Sequence, residues 1–560
     1  MSLSTVPSEE IQSRRVVFVT LLAINTFFVV PDSPGAAPSR IPMPSLGGID
    51  PRPVLLSVSN TPGRIQAFCA GYAGGPFQAE VCTNLTEGGW RKVGPVYTNN
   101  YFTLDLTNES RASFYRVSAP FPFYTGADAC GQCHSLAEGG TFPRDVWYDY
   151  WLDTPHAKAF LNLTNHNPAN ATNAACLSCH TVAFGYPGGY TPGNSALQGV
   201  QCESCHGPGG VRHRSDLFPD RRPAVEWGAK LCGGCHVPAS QPTYTDWTSS
   251  KHAQIQPDVA ASFRDPTNGM ANMLRCGPCH SGALRAYFAF PWATTMPSAE
   301  TAGSEGIVCV ACHDPHVNTS HGHQLRNPLF STNSYSVQPA TNWASFSQQY
   351  QAGVNLCAQC HNARGAAWTD TSEPPHRSPQ YNMLLGSAGE LDAGGTPFQP
   401  AAHALLITNQ CVGCHMPKQP SEGPAHPALT GHTFKAASFD TCRACHPLPE
   451  LLTQFATTAV SNRVQRVKSW LDVWATTKAP ASLRAKYGAK AWEYTAAGTL
   501  SERGSGPDSA EQALIPVNIR KARFNLYLVH YDGSSGIHNG PYAITLLDAA
   551  NNWIQAELNR

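Results

Sequence analysis

The 560-residue chain sets 38 basic side chains against 38 acidic ones, which leaves no basic field for nucleic acid. Charged residues make up only 14% of it, and 47 Gly with 46 Pro favour a loop-rich, multidomain body over a conventional helical one. The informative part of the composition is 20 Cys and 22 His.

In chain order, Arg14 and Arg15 precede an apolar stretch at 16–30, and the small residues of 35–37 close it, the layout of an export signal over 1–37. A stretch interrupted by Thr20, Asn25 and Thr26 is short for a bilayer span, so a cleaved signal is expected, with no membrane span after cleavage. A Pro-rich linker, 38–51, leads to a module at 52–120. There, 54–58, 77–81, 90–93, 101–106 and 113–117 are rich in aromatic and β-branched residues and are separated by Gly, Asn and Pro, which predicts a small β-sandwich. Thr83-Asn84-Leu85, Trp90 and the closing Phe114-Tyr115-Arg116-Val117 resemble the immunoglobulin-like or fibronectin-like modules of exported bacterial proteins. Cys69 and Cys82 both fall in this module, and in an oxidising compartment a stapling disulfide is expected, two separate buried thiols being the alternative.

Residues 121–447 carry the chemistry. Cys-x-x-Cys-His occurs nine times: Cys130/Cys133/His134, Cys176/Cys179/His180, Cys202/Cys205/His206, Cys232/Cys235/His236, Cys276/Cys279/His280, Cys309/Cys312/His313, Cys357/Cys360/His361, Cys411/Cys414/His415 and Cys442/Cys445/His446. At this composition chance would supply about a few hundredths of one copy. Two thiols three residues apart can add to the two vinyl groups of one porphyrin, and the adjacent His reaches the iron from the same side. Zinc also binds such thiol pairs, but it needs a fourth ligand at suitable spacing, whereas here every pair carries its own His. Nine c-type haems are therefore expected, with these His as proximal iron ligands. The irregular spacing of the motifs matches no simple solenoid. The Gly- and Pro-rich segments between them could not bury enough side chain to fold alone, so the porphyrins are expected to supply much of the core.

Residues 448–560 change character. Val460, Val464, Val467, Leu471 and Trp474 recur at helical spacing, and further helices are predicted over 481–496, 509–529 and 541–558. A helical cap or subunit interface is expected, and with it a homo-oligomer. The fold class is thus multidomain: a small N-terminal β-sandwich, a loop-rich multihaem core with short helices, and a C-terminal α-helical segment.

Thirteen His remain once the nine proximal ones are set aside, enough for a second imidazole at every iron. Several stretches resemble the multihaem cytochromes c related to pentahaem nitrite reductase and octahaem hydroxylamine oxidoreductase or tetrathionate reductase. They are Thr154-Pro155-His156-Ala157, the Cys-His-Gly-Pro-Gly run from Cys202 to His213, Ser250-Lys251-His252-Ala253, Cys312-His313-Asp314-Pro315-His316, Pro375-His376-Arg377-Ser378, His403, Gly431-His432-Thr433-Phe434, and Gly536-Ile537-His538-Asn539. The resemblance implies distal ligands at His156, His213, His252, His316, His323, His376, His403, His432 and His538, with His321 competing against His323. His166, His426 and His530 are expected at the surface or in packing. If every iron holds two His, the chain moves electrons. The alternative is an oxidoreductase of small nitrogen or sulfur compounds with one open iron, and it would draw on Tyr487, Tyr494, Tyr527 or Tyr531. The Cys-x-x-Cys-Lys motif common in ammonia-forming nitrite reductases does not occur. Expected partners are redox proteins or an extracellular electron acceptor, reached from the periplasm, the cell surface or outside the cell.

Overall fold

The structure is a computed structural model that describes residues 16–19, 54–61, 64–70, 77–82, 91–97, 101–105, 112–118, 124–132, 134–136, 146–186, 189–207, 228–238, 241–289, 295–338, 349–392, 397–422, 428–436, 438–501 and 504–560. It divides into two compact units, Met1–Cys235 with Pro315–Asn318, and His236–Asp314 with Thr319–Arg560. Helices dominate, and the strands fall in the first hundred or so residues.

In the first unit, β1 (Val16–Val19), β2 (Val54–Thr61), β3 (Arg64–Ala70), β4 (Phe77–Cys82), β5 (Arg91–Tyr97), β6 (Tyr101–Asp105) and β7 (Ala112–Ser118) make two sheets. One has the order β1-β7-β4-β5 and the other β2-β3-β6. β3 is absent from the sequence-based expectation, yet it pairs antiparallel with both β2 and β6. Its alternation is clear once seen: Ala67 and Cys69 are buried while Phe68 between them is exposed. β1 comes from the expected export signal and pairs parallel with β7.

The expected disulfide is not formed. Cys69 is a free thiol with no solvent exposure, and burial pushes its pKa up to about 12. It lies on β3 of the three-stranded sheet, whereas Cys82 ends β4 of the other sheet. Burial as a small hydrophobic residue satisfies Cys69 without a bridge.

Short helices follow in the first unit: α1 (Ala127–Gly131), α2 (Trp147–Leu152), α3 (Ala159–His166), α4 (Ala174–His180), α5 (Cys202–His206) and α6 (Ala229–Gly233). The second unit continues with α7 (Thr243–Thr248), α8 (Pro257–Phe263), α9 (Gly269–His280), α10 (Gly282–Ala289), α11 (Ala299–Ala302), α12 (Cys309–Cys312), α13 (Gln380–Leu385), α14 (Ala402–Leu406), α15 (Gln410–His415) and α16 (Asp440–Arg443).

The chain closes with the long α17 (Pro449–Thr477), α18 (Ala481–Tyr487), α19 (Val517–Asp532) and α20 (Gly540–Leu558). Pro449 starts α17, where a missing N–H costs nothing. Val460, Val464, Val467, Leu471 and Trp474 are all buried and join residues of α19 and α20 in the largest apolar core of the unit. Two predicted boundaries differ. The helix expected over 481–496 ends at Tyr487, because Gly488 takes φ +55° and the chain tightens into a 3₁₀ turn. The one expected from 509 starts at Val517, after Pro516, which disfavours helical backbone at Ile515. Among the described residues no helix is long and apolar enough to cross a membrane.

Candidate haem sites

Most described motifs sit on or at the end of a short helix, as in α4, α5, α9, α12 and α15. Residues three apart on a helix share a face, so both thiols of a motif point the same way and the His follows at the helix end. Buried polar side chains hold these helices. The Glu203 carboxylate, 2% exposed, accepts the N–H groups of Thr125 (3.0 Å) and Gly126 (2.9 Å), and Gln201 Oε1 accepts Ala127 N–H at 2.7 Å. The turn that starts α1 is thereby fixed to the turn that starts α5. In the second unit Asn355 and Gln410 share a hydrogen bond of 2.9 Å. Asn355 Oδ1 accepts Cys357 N–H, and the Gln410 amide donates to Ser331 and Ala404 carbonyls.

The imidazoles face one another in twos. His206 and His316 in the first unit have ring centroids 6.0 Å apart. In the second unit the separations are 6.1 Å for His252 and His361, 5.9 Å for His280 and His376, 6.3 Å for His313 and His432, 6.1 Å for His403 and His446, and 6.3 Å for His415 and His538. Each pair joins a motif His to a His outside the motifs. An iron bound at about 2 Å by each of two imidazole nitrogens sets ring centroids roughly 6 Å apart. The residues present therefore fit six-coordinate haem, although the ring planes cross at anything from 20° to 88°. Among the described residues no group of three or more His, Cys, Asp or Glu converges as a metal site.

Hydrogen bonds fix which ring nitrogen stays available. Nδ1–H of His180 donates to Ala159 O (2.9 Å), of His313 to His323 O (2.7 Å), of His403 to Ile537 O (3.2 Å) and of His415 to Phe434 O (3.3 Å). His280 and His361 donate to the amide oxygens of Gln256 (2.7 Å) and Gln380 (3.3 Å). His376 donates to Ser378 Oγ at 2.9 Å, whose own proton goes to Asn362 O. His432 donates to Thr430, which is tied to Asp246. With Nδ1 committed, Nε2 is left for a metal. Burial holds His252, His376 and His432 at pKa values of about 4 and lowers those of His280, His313, His361 and His415, so these rings stay neutral, as a ligand must.

Thiols of different motifs also meet. In the first unit Cys130 lies beside Cys202, and Cys179 beside Cys235. In the second, Cys279 lies beside Cys360 and Cys357 beside Cys411, while Cys414 lies near Cys442. Arg285, buried, lies close to Cys279, Cys312 and Cys360.

Cys445 is exposed, whereas the other described motif cysteines are half-buried. The physical reason is local. α16 stops at Arg443, and Cys445 follows on a single turn in which its N–H bonds Cys442 O at 3.1 Å. Thr441, Arg443 and Ala444 around it are exposed as well, so the polypeptide alone builds no wall over this thiol.

Of the other expected ligands, His156 is half-buried just before α3. His213 and Cys133 lie outside the described residues, as does His426. His323 is exposed in left-handed backbone at φ +48°, and it is its carbonyl, not its ring, that meets His313. His321 and His166 are exposed, and His530 meets Thr499 at 3.3 Å. The four Tyr have packing partners. Tyr527 donates to Glu493 (2.8 Å), Tyr487 bonds Glu511, Arg523 stacks on Tyr494 at 4.0 Å, and Arg377 covers Tyr531 at 5.0 Å.

One arrangement escaped the sequence reading although its signal was present. Tyr148-x-x-Trp151-x-x-Thr154-x-His156-Ala157 recurs as Tyr244-x-x-Trp247-x-x-Ser250-x-His252-Ala253. The Tyr148 N–H bonds His134 O (3.0 Å) and the Tyr244 N–H bonds His236 O (2.9 Å). Each Trp indole donates to the carbonyl two residues before a later motif, Val200 O at 3.0 Å and Ile307 O at 2.9 Å. Gly199 and Gly306 precede those carbonyls, and a Cβ at either would meet backbone of the His-Ala pair at 2.6 and 2.2 Å. A frame that joins two motifs through one Tyr-x-x-Trp segment is thus built twice.

Residues 129–207 match the cytochrome c554 and c-prime family. The cytochrome c-554 of Nitrosomonas europaea is 34% identical over 108 residues, 17% of this chain and 41% of that protein, so the chain spans less than half of that relative. The multiheme cytochrome MtrA of Shewanella baltica is 22% identical over 309 residues, 47% of this chain and 81% of that protein. Among solved structures, the outer cell wall cytochrome OcwA is 17% identical with a TM-score of 0.48, covering 77% of this chain and 100% of that one.

Proposed function

We propose that this chain is a multihaem c-type cytochrome that transfers electrons and carries nine haems whose irons are mostly held between two His. The observation that carries the reading is the set of six facing imidazole pairs at 5.9–6.3 Å. Haem supplies reversible one-electron iron chemistry, and two imidazoles favour a low potential. The chain's part is to hold and space the groups. The 18 motif Cys are the tethers and the nine motif His the proximal ligands, with His252, His316, His376, His403, His432 and His538 as distal ligands. His156 and His213 are proposed for remaining motifs. His323 is left out of the set, since among the described residues its ring faces no motif His and it is its carbonyl that serves His313. Contacts between thiols of different motifs would bring the macrocycle edges they carry into tunnelling reach.

The two closed ligand positions in each pair favour conduction over substrate chemistry. Leu406 and Leu448, 80% and 62% exposed, neighbour His403 and His446 in sequence and are surfaces that a macrocycle would cover. The exposed Cys445 belongs to the same face in sequence, next to His446, and a tethered macrocycle would cover it too. We further propose export, with a redox protein or an extracellular acceptor as partner. With cleavage after residue 37, β1 would leave with the signal and β7 would become a sheet edge. Intact-mass measurement of the exported protein tests the haem count, and nine additions are expected. Low-temperature EPR tests coordination. A high-spin signal that shifts on adding nitrite, hydroxylamine or sulfite would replace conduction with catalysis at one open iron.

A further inference from the structure

Eight described imidazoles, those of His180, His280, His313, His361, His376, His403, His415 and His432, direct Nδ1–H to a backbone carbonyl, a side-chain amide oxygen or a hydroxyl oxygen, all neutral acceptors, and His538 differs from these eight. At His538 that proton goes to the Asp532 carboxylate at 2.6 Å. Burial works to lower the His538 pKa, but the charge and hydrogen bond of Asp532, with a contribution from Cys411, outweigh it and raise the pKa.

The placement of Asp532 is costly for stability alone. Its side chain is buried and ends α19, where the aligned peptide dipoles disfavour an anion. Gly533 then turns the chain at φ +73°, and Ser535 and Gly536 also take positive φ, so six residues suffice to bring His538 back onto the carboxylate. Ser534 occupies the other carboxylate oxygen with its hydroxyl, and it accepts the His538 N–H at 3.2 Å. The Gly536 turn is backed by α17, since a Cβ there would meet Val460 at 2.6 Å.

We propose that Asp532 is a positioning residue that lowers the reduction potential of the haem bound by Cys411, Cys414, His415 and His538 below that of its neighbours. The inference rests on the axial pairing of His415 with His538 proposed above. A carboxylate pulling on Nδ1–H makes Nε2 a stronger donor, and a stronger donor favours the oxidised iron. The bond is charge-assisted and short, the strong end of the range. The site also has a consequence for direction. Cys411 meets Cys357 and Cys414 lies near Cys442, so this haem would separate the Cys442–His446 haem from those on the other side. Electrons passing that way would climb over a low-potential step, which sets a rate and holds charge on either side.

The test is a spectroelectrochemical titration of the complete holo-protein and two variants. Asp532→Asn replaces the anion by a neutral group, so one component among nine should become easier to reduce by about tenfold, about 59 mV for one electron. Ser534→Ala removes the hydroxyl that draws charge away from the carboxylate and should move the same component the opposite way, by less. Both variants should keep wild-type haem mass and a low-spin EPR spectrum. A titration of Asp532→Asn that superimposes on wild type, or one in which all components move together, overturns the proposal. If Asp532→Asn does not mature, an unmoved Ser534→Ala titration overturns it. A wild-type protein in which the haem tethered at Cys411 and Cys414 is already high-spin would instead sink the axial pairing.

Discussion

Replacing His376 with Ala isolates a single proposed axial pair. The ring faces His280 at 5.9 Å, and its Nδ1 bonds Ser378 at 2.9 Å. Alanine removes both interactions but leaves Cys276, Cys279 and His280 in place, and Ser378 keeps its 2.8 Å bond to Asn362. The ring is exposed, so the folding cost is little more than one hydrogen bond, about 1 kcal/mol. Covalent tethers at every motif and the separate apolar core of the C-terminal helices should absorb that cost, so the protein should mature with its full haem mass. The spectral change should then be local. One haem in nine becomes high-spin in the oxidised protein, and the reduced protein binds one carbon monoxide that wild type does not. EPR spin integration and a carbon monoxide titration measure both. An unchanged EPR spectrum with no added carbon monoxide binding would refute the pairing of His376 with His280. His323→Ala is the matched control. Its ring is exposed and meets no described imidazole, so its spectrum should equal wild type.

Three further outcomes follow from other parts of the structure. Glu203→Gln puts an amide N–H₂ where the carboxylate accepts from Thr125 or Gly126, leaving a buried donor against a donor. Urea unfolding of the first unit should shift by roughly 2–4 kcal/mol, and a shift within error of wild type would contradict the clamp. Gly431→Ala places a Cβ 2.7 Å from Met416 backbone at φ +82°. It should displace His432 and give a high-spin signal like that of His432→Ala, whereas an intact low-spin spectrum would show that the turn tolerates a side chain. Cys69 should resist a thiol reagent in the folded holo-protein and react once it is denatured. No reaction after denaturation would restore the disulfide that the structure lacks.

The elements legible in the sequence were those with a strong local signal. Nine motifs fix their own chemistry because tethers and ligand are contiguous, and the α17 stripe from Val460 to Trp474 repeats at helical spacing. How deeply a motif sits is not written in it: Cys445 carries the same spacing as the half-buried thiols and is exposed, on a single turn flanked by exposed Thr441, Arg443 and Ala444. Distal His carry no such contiguous signal. His316 faces His206 and His538 faces His415 across more than a hundred residues, and only the folded chain pairs them. His323 shows the converse: a His-Gly-His run after a motif looks like a ligand source, and in the fold it is the His323 carbonyl that meets His313. β3 escaped because Ala67, Cys69 and Ala70 are small, although only Pro62 and Gly63 separate it from β2, a spacing that suits a hairpin.

The doubled Tyr-x-x-Trp frame explains why motif spacing looked irregular. What repeats is a scaffold that joins two motifs rather than a motif, and insertions between scaffold points vary freely because the hydrogen bonds, not chain length, set the positions. Trp151 and Trp247 should therefore behave alike. Phe at either keeps most of the ring packing but leaves Val200 O or Ile307 O without its indole donor, a loss of about 1 kcal/mol each. Those carbonyls lie two residues before Cys202 and Cys309, so the strain should reach the following haem as a shift in one component of the redox titration, a different component for each variant. Two variants that shift no component would reduce the repeat to coincidence. Matched shifts at separate components would mark it as the unit from which this part of the conduit was built.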